Sequence, residues 1–162
     1  MGEPVSNDNF KAAMASFASG VTVITTVDAA GVPFGLTATA FSSVSKDPPL
    51  CLVCVAHSAE AYPVIGQVGR FAVNILGREQ EESSARFATH GIDKFAGVSW
   101  SKGKRTGCPL LTGALASIEC LVTTTLPAGD HDVFLGAIQG IRLEAGVPLV
   151  YFRSGYRDLL LP

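Results

Sequence analysis

The chain has 162 residues, a net charge of −2, 48% hydrophobic residues and only 16% charged ones. That length makes one domain, 1–162, and the composition allows a sizeable core with some apolar surface hidden in an oligomer. Its longest basic stretch is Lys102-Gly103-Lys104-Arg105, which argues against nucleic-acid binding, and no apolar run approaches a membrane span.

The start, Met1-Gly2-Glu3-Pro4, has neither the basic opening nor the apolar stretch of a signal peptide. Gly2 also lacks the basic cluster that accompanies a lipid anchor. Ser6 to Asn9 offer helix caps, and Phe10, Met14 and Phe17 recur at helical spacing before Gly20. A helix over about 8–19 is therefore predicted, with its apolar face laid on the rest of the fold.

The β-branched run Val21–Val27 reads as a strand, Asp28-Ala29-Ala30-Gly31 as its turn, and Val32–Gly35 as the start of the return strand. The stretch Gly35–Pro49 follows, rich in hydroxyls and small residues and closed by two prolines. It suits a cleft wall lined with N–H and O–H donors that leaves room for a flat ligand, although hydroxyls also serve ordinary turns. Residues 50–56 are apolar on both faces, which predicts a strand covered on both sides. Within it, Cys51 and Cys54 are three apart and face opposite ways. With no second Cys or His pair to complete a site, they read as small buried hydrophobes and no metal is expected. Four cysteines without a secretory signal point to a reducing cytoplasm.

Ser58 offers a cap for a short helix through Gln67, although Pro63 fits only if that helix starts late, near Tyr62. Residues 71–76 form another strand, Glu79–Ala88 a polar helix with Ala85 and Phe87 on one side, and 89–113 a glycine-punctuated loop. In 116–126, Ala116, Ile118, Cys120 and Val122 alternate with Ser117, Glu119 and Thr123. The chain turns at Pro127–Asp130 and returns over His131–Leu143, a long hairpin. Pro148–Arg153 is the last strand. Six or seven strands with local turns and three short helices predict a mainly β fold, an antiparallel barrel.

Neither a dinucleotide-binding Gly-x-Gly-x-x-Gly after a strand, nor a phosphate-binding P-loop, nor a Gly-x-Ser-x-Gly elbow is present. The ordered set Gly-Val-Thr-Val-Ile-Thr-Thr (20–26), Gly-Leu-Thr-Ala-Thr-Ala-Phe-Ser-Ser-Val-Ser (35–45), Phe-Ala-Val-Asn-Ile-Leu (71–76), Ala-Arg-Phe (85–87), Lys-Phe-Ala-Gly-Val-x-Trp (94–100), Gly-Asp-His (129–131) and Tyr-Phe-Arg-x-Gly-Tyr-Arg (151–157) resembles the short-chain flavin reductases. These are the reductase components of two-component flavin-dependent monooxygenases. The resemblance covers nearly the whole chain.

It implies an FMN-binding split β-barrel, Greek-key-like, with short peripheral helices. It further implies NAD(P)H:flavin oxidoreductase activity with FMN or FAD, NADH or NADPH as hydride donor, a homodimer, and a separate monooxygenase partner. Carried onto this chain, the flavin would contact Leu36, Thr37, Ala38, Thr39, Ala40, Ser42 and Ser43, then Val55, Ala56, His57 and Ser58. Arg86, with Phe87 beside it, is the charge partner, and Ser58 with Ser42 and Ser43 suits a phosphate. His131 marks the nicotinamide side and is the catalytic candidate. Phe152, Tyr156 and Arg157 would cover the bound nucleotide or anchor an interface. The chain departs from the family pattern at His57 and Ala59. The alternatives are a flavin-binding split barrel, oxidase or carrier, without reductase turnover, and a barrel that binds nothing.

Overall fold

The computed structural model describes residues 4–159; Met1, Gly2 and Glu3, on which the expectations about a leader or anchor fall, lie outside them. A seven-stranded antiparallel sheet organises the fold, in the order β3-β2-β6-β9-β10-β5-β4. Its strands are β2 (Thr22–Val27), β3 (Pro33–Ala38), β4 (Phe41–Lys46), β5 (Pro49–Ala56), β6 (Arg70–Ile75), β9 (Ala116–Ala128) and β10 (His131–Leu143). The sheet's two end strands, β3 and β4, are consecutive in the chain and joined only by Thr39 and Ala40. The sheet therefore curls into a barrel whose seam is closed by a covalent corner. This is the split antiparallel barrel expected.

Alternation sets the interior. On β5, Cys51, Val53 and Val55 are buried and their neighbours are half-exposed, so the two cysteines do face opposite ways. Cys51 meets Cys120 across the interior at 3.5 Å between sulfurs, and all four cysteines are free. The intervening strand makes room with Gly136, where a Cβ would sit 2.6 Å from the Phe71 ring. Strand β2 is buried along its length. Its three threonines each donate to a carbonyl: Thr22 to Ala38, Thr25 to Pro109 and Thr26 to Arg70. These bonds offset the cost of burying the hydroxyls.

Strand β9 departs from simple alternation, because Ser117 and Glu119 are buried as well. A small hairpin, β7 (Trp100–Lys102) and β8 (Pro109–Leu111), folds over their face. The Glu119 carboxylate accepts from the Arg105 and Thr106 N–H groups and the Thr106 hydroxyl, which pins the loop between these strands. The end of the chain is two short strands rather than one: β11 (Val150–Phe152) and β12 (Gly155–Arg157), joined with β1 (Ser19–Gly20) in a three-stranded sheet.

Three helices lie outside the barrel. Helix α3 (Glu81–Ala88), after a 3-10 turn at Arg78–Gln80, seats Ser84 and Phe87 against β3. Helix α2 (Ala61–Val68) starts late, and Ser58 does not cap it. A start at Ser58 would set Pro63 inside the helix, where its missing N–H and its ring oppose the bond to residue 59.

Helix α1 (Asn7–Ala15) differs most from expectation. It stops four residues early, Gly20 pairs in β1 instead of ending it, and it buries nothing. Phe10 is 57% and Met14 58% exposed, so the apolar face points into solvent rather than onto the barrel. The segment is tied to its own chain by the Arg153 N–H, which donates to the Ala15 carbonyl at 2.8 Å. Among the described residues no helix is long and apolar enough to cross a membrane.

Candidate active site

The candidate residues gather where the barrel seam meets the start of β10. At the corner, the Ala40 carbonyl accepts from the Cys54 N–H at 3.0 Å, which docks the corner on β5. Two strands over, His131 pairs in register with Ala56, and the His57 N–H donates to the Asp130 carbonyl at 3.0 Å. Thus residues 39–41, Ala56, His57, Ser58 and His131 gather at one end of neighbouring strands in the order β4-β5-β10, whereas Ser42 and Ser43 lie further along, paired with Leu52 and Cys51. Among the described residues β3 and β4 each pair with one strand only, so each presents an edge without a strand partner at the seam.

Not every expected wall residue points outward. Leu36 and Ala38 pack against the barrel core, Val55 is fully buried, and the Thr37 hydroxyl is spent on the Ser84 carbonyl at 2.6 Å. Ser42 donates to the Ser43 carbonyl at 3.0 Å, and both serines are exposed. A cleft of about 220 Å³ runs along Thr37, Ala38 and Thr39 and is faced by Ser84, Ala88, Tyr151 and Tyr156. Tyr156 is held there by its hydroxyl, which donates to Ser84 Oγ at 2.8 Å. Its hairpin turns at Arg153 and Ser154, both left-handed, which is the two-residue turn that matches strand twist. Phe152 lies beneath the Arg153 guanidinium, and the exposed Arg157 folds back on the Tyr156 carbonyl.

Two expected contacts are not at this wall. Phe87 is fully buried beneath β3, in van der Waals contact with Gly35, so its ring has no face left for a cofactor. Arg86, one residue back, turns to the other side of α3. It lines a separate cavity of about 420 Å³ with Gln80, Ser83, Val98 and Thr112, and its nearest carboxylate is Glu82 at 3.9 Å. Helical geometry separates them: Ser84 and Ala88 share the face toward β3, whereas Ser83 and Arg86 share another.

Sequence reasoning missed Asp132 and Tyr62. Asp132 is buried, yet accepts from His57 Nε2 and from the Tyr62 hydroxyl, each at 2.9 Å. The hydrogen bond from His57 holds its carboxyl below the usual aspartate range, and the bond to Asp132 raises the Tyr62 phenol. Asp130 is likewise held low by its bond with His131 Nδ1 at 2.7 Å. A carboxylate can only accept, so Nε2–H of His57 and Nδ1–H of His131 are the donors. The signal was present in the strand pattern: residues 132, 134 and 136 all point inward, and an aspartate at an inward position requires a partner.

The donor set fits a flavin. Small side chains at Ala40 and Ala56 leave room for a flat ring, and the polar groups around it are hydroxyls and two imidazoles, each held by a carboxylate. A family model described as a flavin reductase like domain matches residues 14–160. The chain belongs to this flavin reductase family. It is 41% identical to the flavin reductase (NADH) of Kitasatospora aureofaciens, with 94% of this chain and 81% of the relative aligned. With the flavin-dependent monooxygenase reductase subunit HsaB of Rhodococcus jostii it shares 36% identity, over 97% of this chain and 80% of that one. Among solved structures it is similar to the NADH:FAD oxidoreductase SgcE6 of Streptomyces globisporus, with TM-score 0.92 and 32% identity over 99% and 98% of the two chains. That relative has also been solved with NAD and FAD fragments.

Proposed function

We propose that this chain is an NADH-dependent flavin reductase that passes reduced FMN or FAD to a separate monooxygenase. Bound flavin supplies the hydride-accepting ring nitrogen; the protein binds, orients and shields. The observation that carries the reading is the place of His131. It stands beside Ala56 at the end of the wall, with Nδ1–H fixed on Asp130. Its Nε2 is then left as an acceptor, suited to the amide N–H of a nicotinamide. Fixing that ring fixes the distance over which hydride moves, and such positioning is worth up to about 7–11 kcal/mol of barrier.

The reading includes a homodimer. The cleft on one chain, about 220 Å³, is below the roughly 300–1,000 Å³ of ordinary small-molecule sites, so a second surface is needed to bury a tricyclic ring. The exposed Phe10, Met14 and Phe17 supply apolar area for such an association. Four free thiols suit a reducing cytoplasm.

The test is stopped-flow reduction of FMN and FAD by NADH, with His131→Ala beside the natural protein. We expect reduction to slow by at least about 10²-fold while flavin affinity changes less than about threefold. Unchanged turnover in the variant removes the nicotinamide role, and a natural protein that binds flavin but is not bleached by NADH is a carrier rather than a reductase.

A further inference from the structure

The mouth holds two imidazoles, each bound to a carboxylate, and His131 accounts for only one. His57 Nε2 bonds Asp132 at 2.9 Å, Tyr62 bonds the other oxygen of the same carboxylate, and the two rings stand 4.9 Å apart between centroids. Burying an aspartate at the barrel end is costly, and the cost is met by donors from two different elements, the β5 end and α2. The arrangement repeats the logic by which a buried carboxylate holds a histidine in one tautomer. Neutral His57 then carries its proton on Nε2 and turns Nδ1 outward, and no partner for Nδ1 is found among the described residues. The charged and titratable groups around the ring are Asp132, Tyr62 and Asp130, with His131 beyond Asp130. Two ionised carboxylates within this group oppose a phosphate and favour a neutral donor.

We infer that Asp132 and Tyr62 are positioning residues for His57, and that His57 offers a hydrogen-bond acceptor to a neutral N–H or O–H of the flavin, its imide or ribityl chain, rather than gripping its phosphate. This rests on the reading that a flavin occupies this mouth. The helix start that made Ser58 a phosphate candidate is not there either, since Ser58 lies outside α2 and caps nothing.

Two measurements test it. The first is the ring nitrogen spectrum of His57 in flavin-free protein, recorded near pH 8.5, where an ordinary imidazole is about fully neutral. A single Nε2–H tautomer is expected, and Asp132→Asn should turn it into a mixture. An Nδ1–H tautomer or an even mixture in the natural protein overturns the inference.

The second is equilibrium binding of FMN, riboflavin and lumiflavin followed by flavin fluorescence. His57→Leu should weaken FMN and riboflavin equally, by about tenfold, as for one hydrogen bond. His57→Asn, which keeps an acceptor near Nδ1, should recover most of that loss. A loss that persists with lumiflavin assigns the contact to the imide, and one that vanishes assigns it to the ribityl chain. A loss much larger for FMN than for riboflavin, or no loss at all, overturns the inference while leaving the reductase reading in place. A natural protein that binds none of the three defeats that reading instead, and the tautomer spectrum still stands on its own.

Discussion

Helices α1 and α3 are nearly equal in length, at nine and eight residues, and their sequences promise the reverse of what they do. Helix α1 carries Phe10 and Met14 on one face and buries neither. Helix α3, mostly polar, is clamped to the barrel. Thr37 and Tyr156 both bond Ser84. The buried Lys94 ammonium donates to the carbonyls of Gly35 and Phe87, at 3.2 Å each. Phe87 fills a recess that exists because β3 has no side chain at residue 35. Apolar spacing says which face of a helix wants cover. It does not say where the cover comes from; a matched recess and fixed polar partners do.

The largest effect should come from emptying that recess. Phe87→Ala should cost about 3–5 kcal/mol of folding stability, as large-to-small changes of buried aromatics do, read as a lower urea midpoint with unchanged slope. A loss below about 1 kcal/mol would place α3 in the same loose category as α1. Filling the recess from the other side should cost less. In Gly35→Ala the new Cβ would lie 2.6 Å from Phe87 Cε1, and overpacking of this kind costs about 1–3 kcal/mol. The double variant Gly35→Ala/Phe87→Leu should be more stable than the sum of the single changes, because each relieves the other. Strict additivity in the same urea titrations would mean that the contact does not hold α3.

The legible parts of the molecule were those set by neighbours in sequence. Strand alternation set Cys51 and Cys54 on opposite faces, although only Cys51 is buried where both were expected to be, and the turns at Asp28–Gly31 and Pro127–Asp130 fixed two hairpins. What was not legible came from pairings far apart in the chain. Thr37 meets Ser84, Ser84 meets Tyr156 and His57 meets Asp132 across 47, 72 and 75 positions. No local pattern announces a partner at such a distance. The same limit explains Phe87 and Arg86: the motif that holds them was visible, but adjacent residues on a helix face about 100° apart, and only the docked orientation sent one into the core and the other to a separate cavity. Asp132 lay between these cases, since an acidic residue at an inward strand position was readable as a demand for partners without naming them.

The smallest effect on the fold should come from α1, and it separates two accounts of its exposed face. If that face belongs to the chain's own fold, Phe10→Ser with Met14→Ser should destabilise the isolated chain. If it is covered by a second copy, the pair of changes should leave the dilute monomer within about ±0.5 kcal/mol, as surface substitutions do. The variant's mass at micromolar concentration should then fall from that of two chains to that of one. Unfolding titrations at two protein concentrations, alongside light scattering, read both quantities. Loss of monomer stability, or a natural protein already monomeric, would leave the dimer without support from α1. The half-formed cleft at Thr37–Thr39 would then need another means of enclosing a ring.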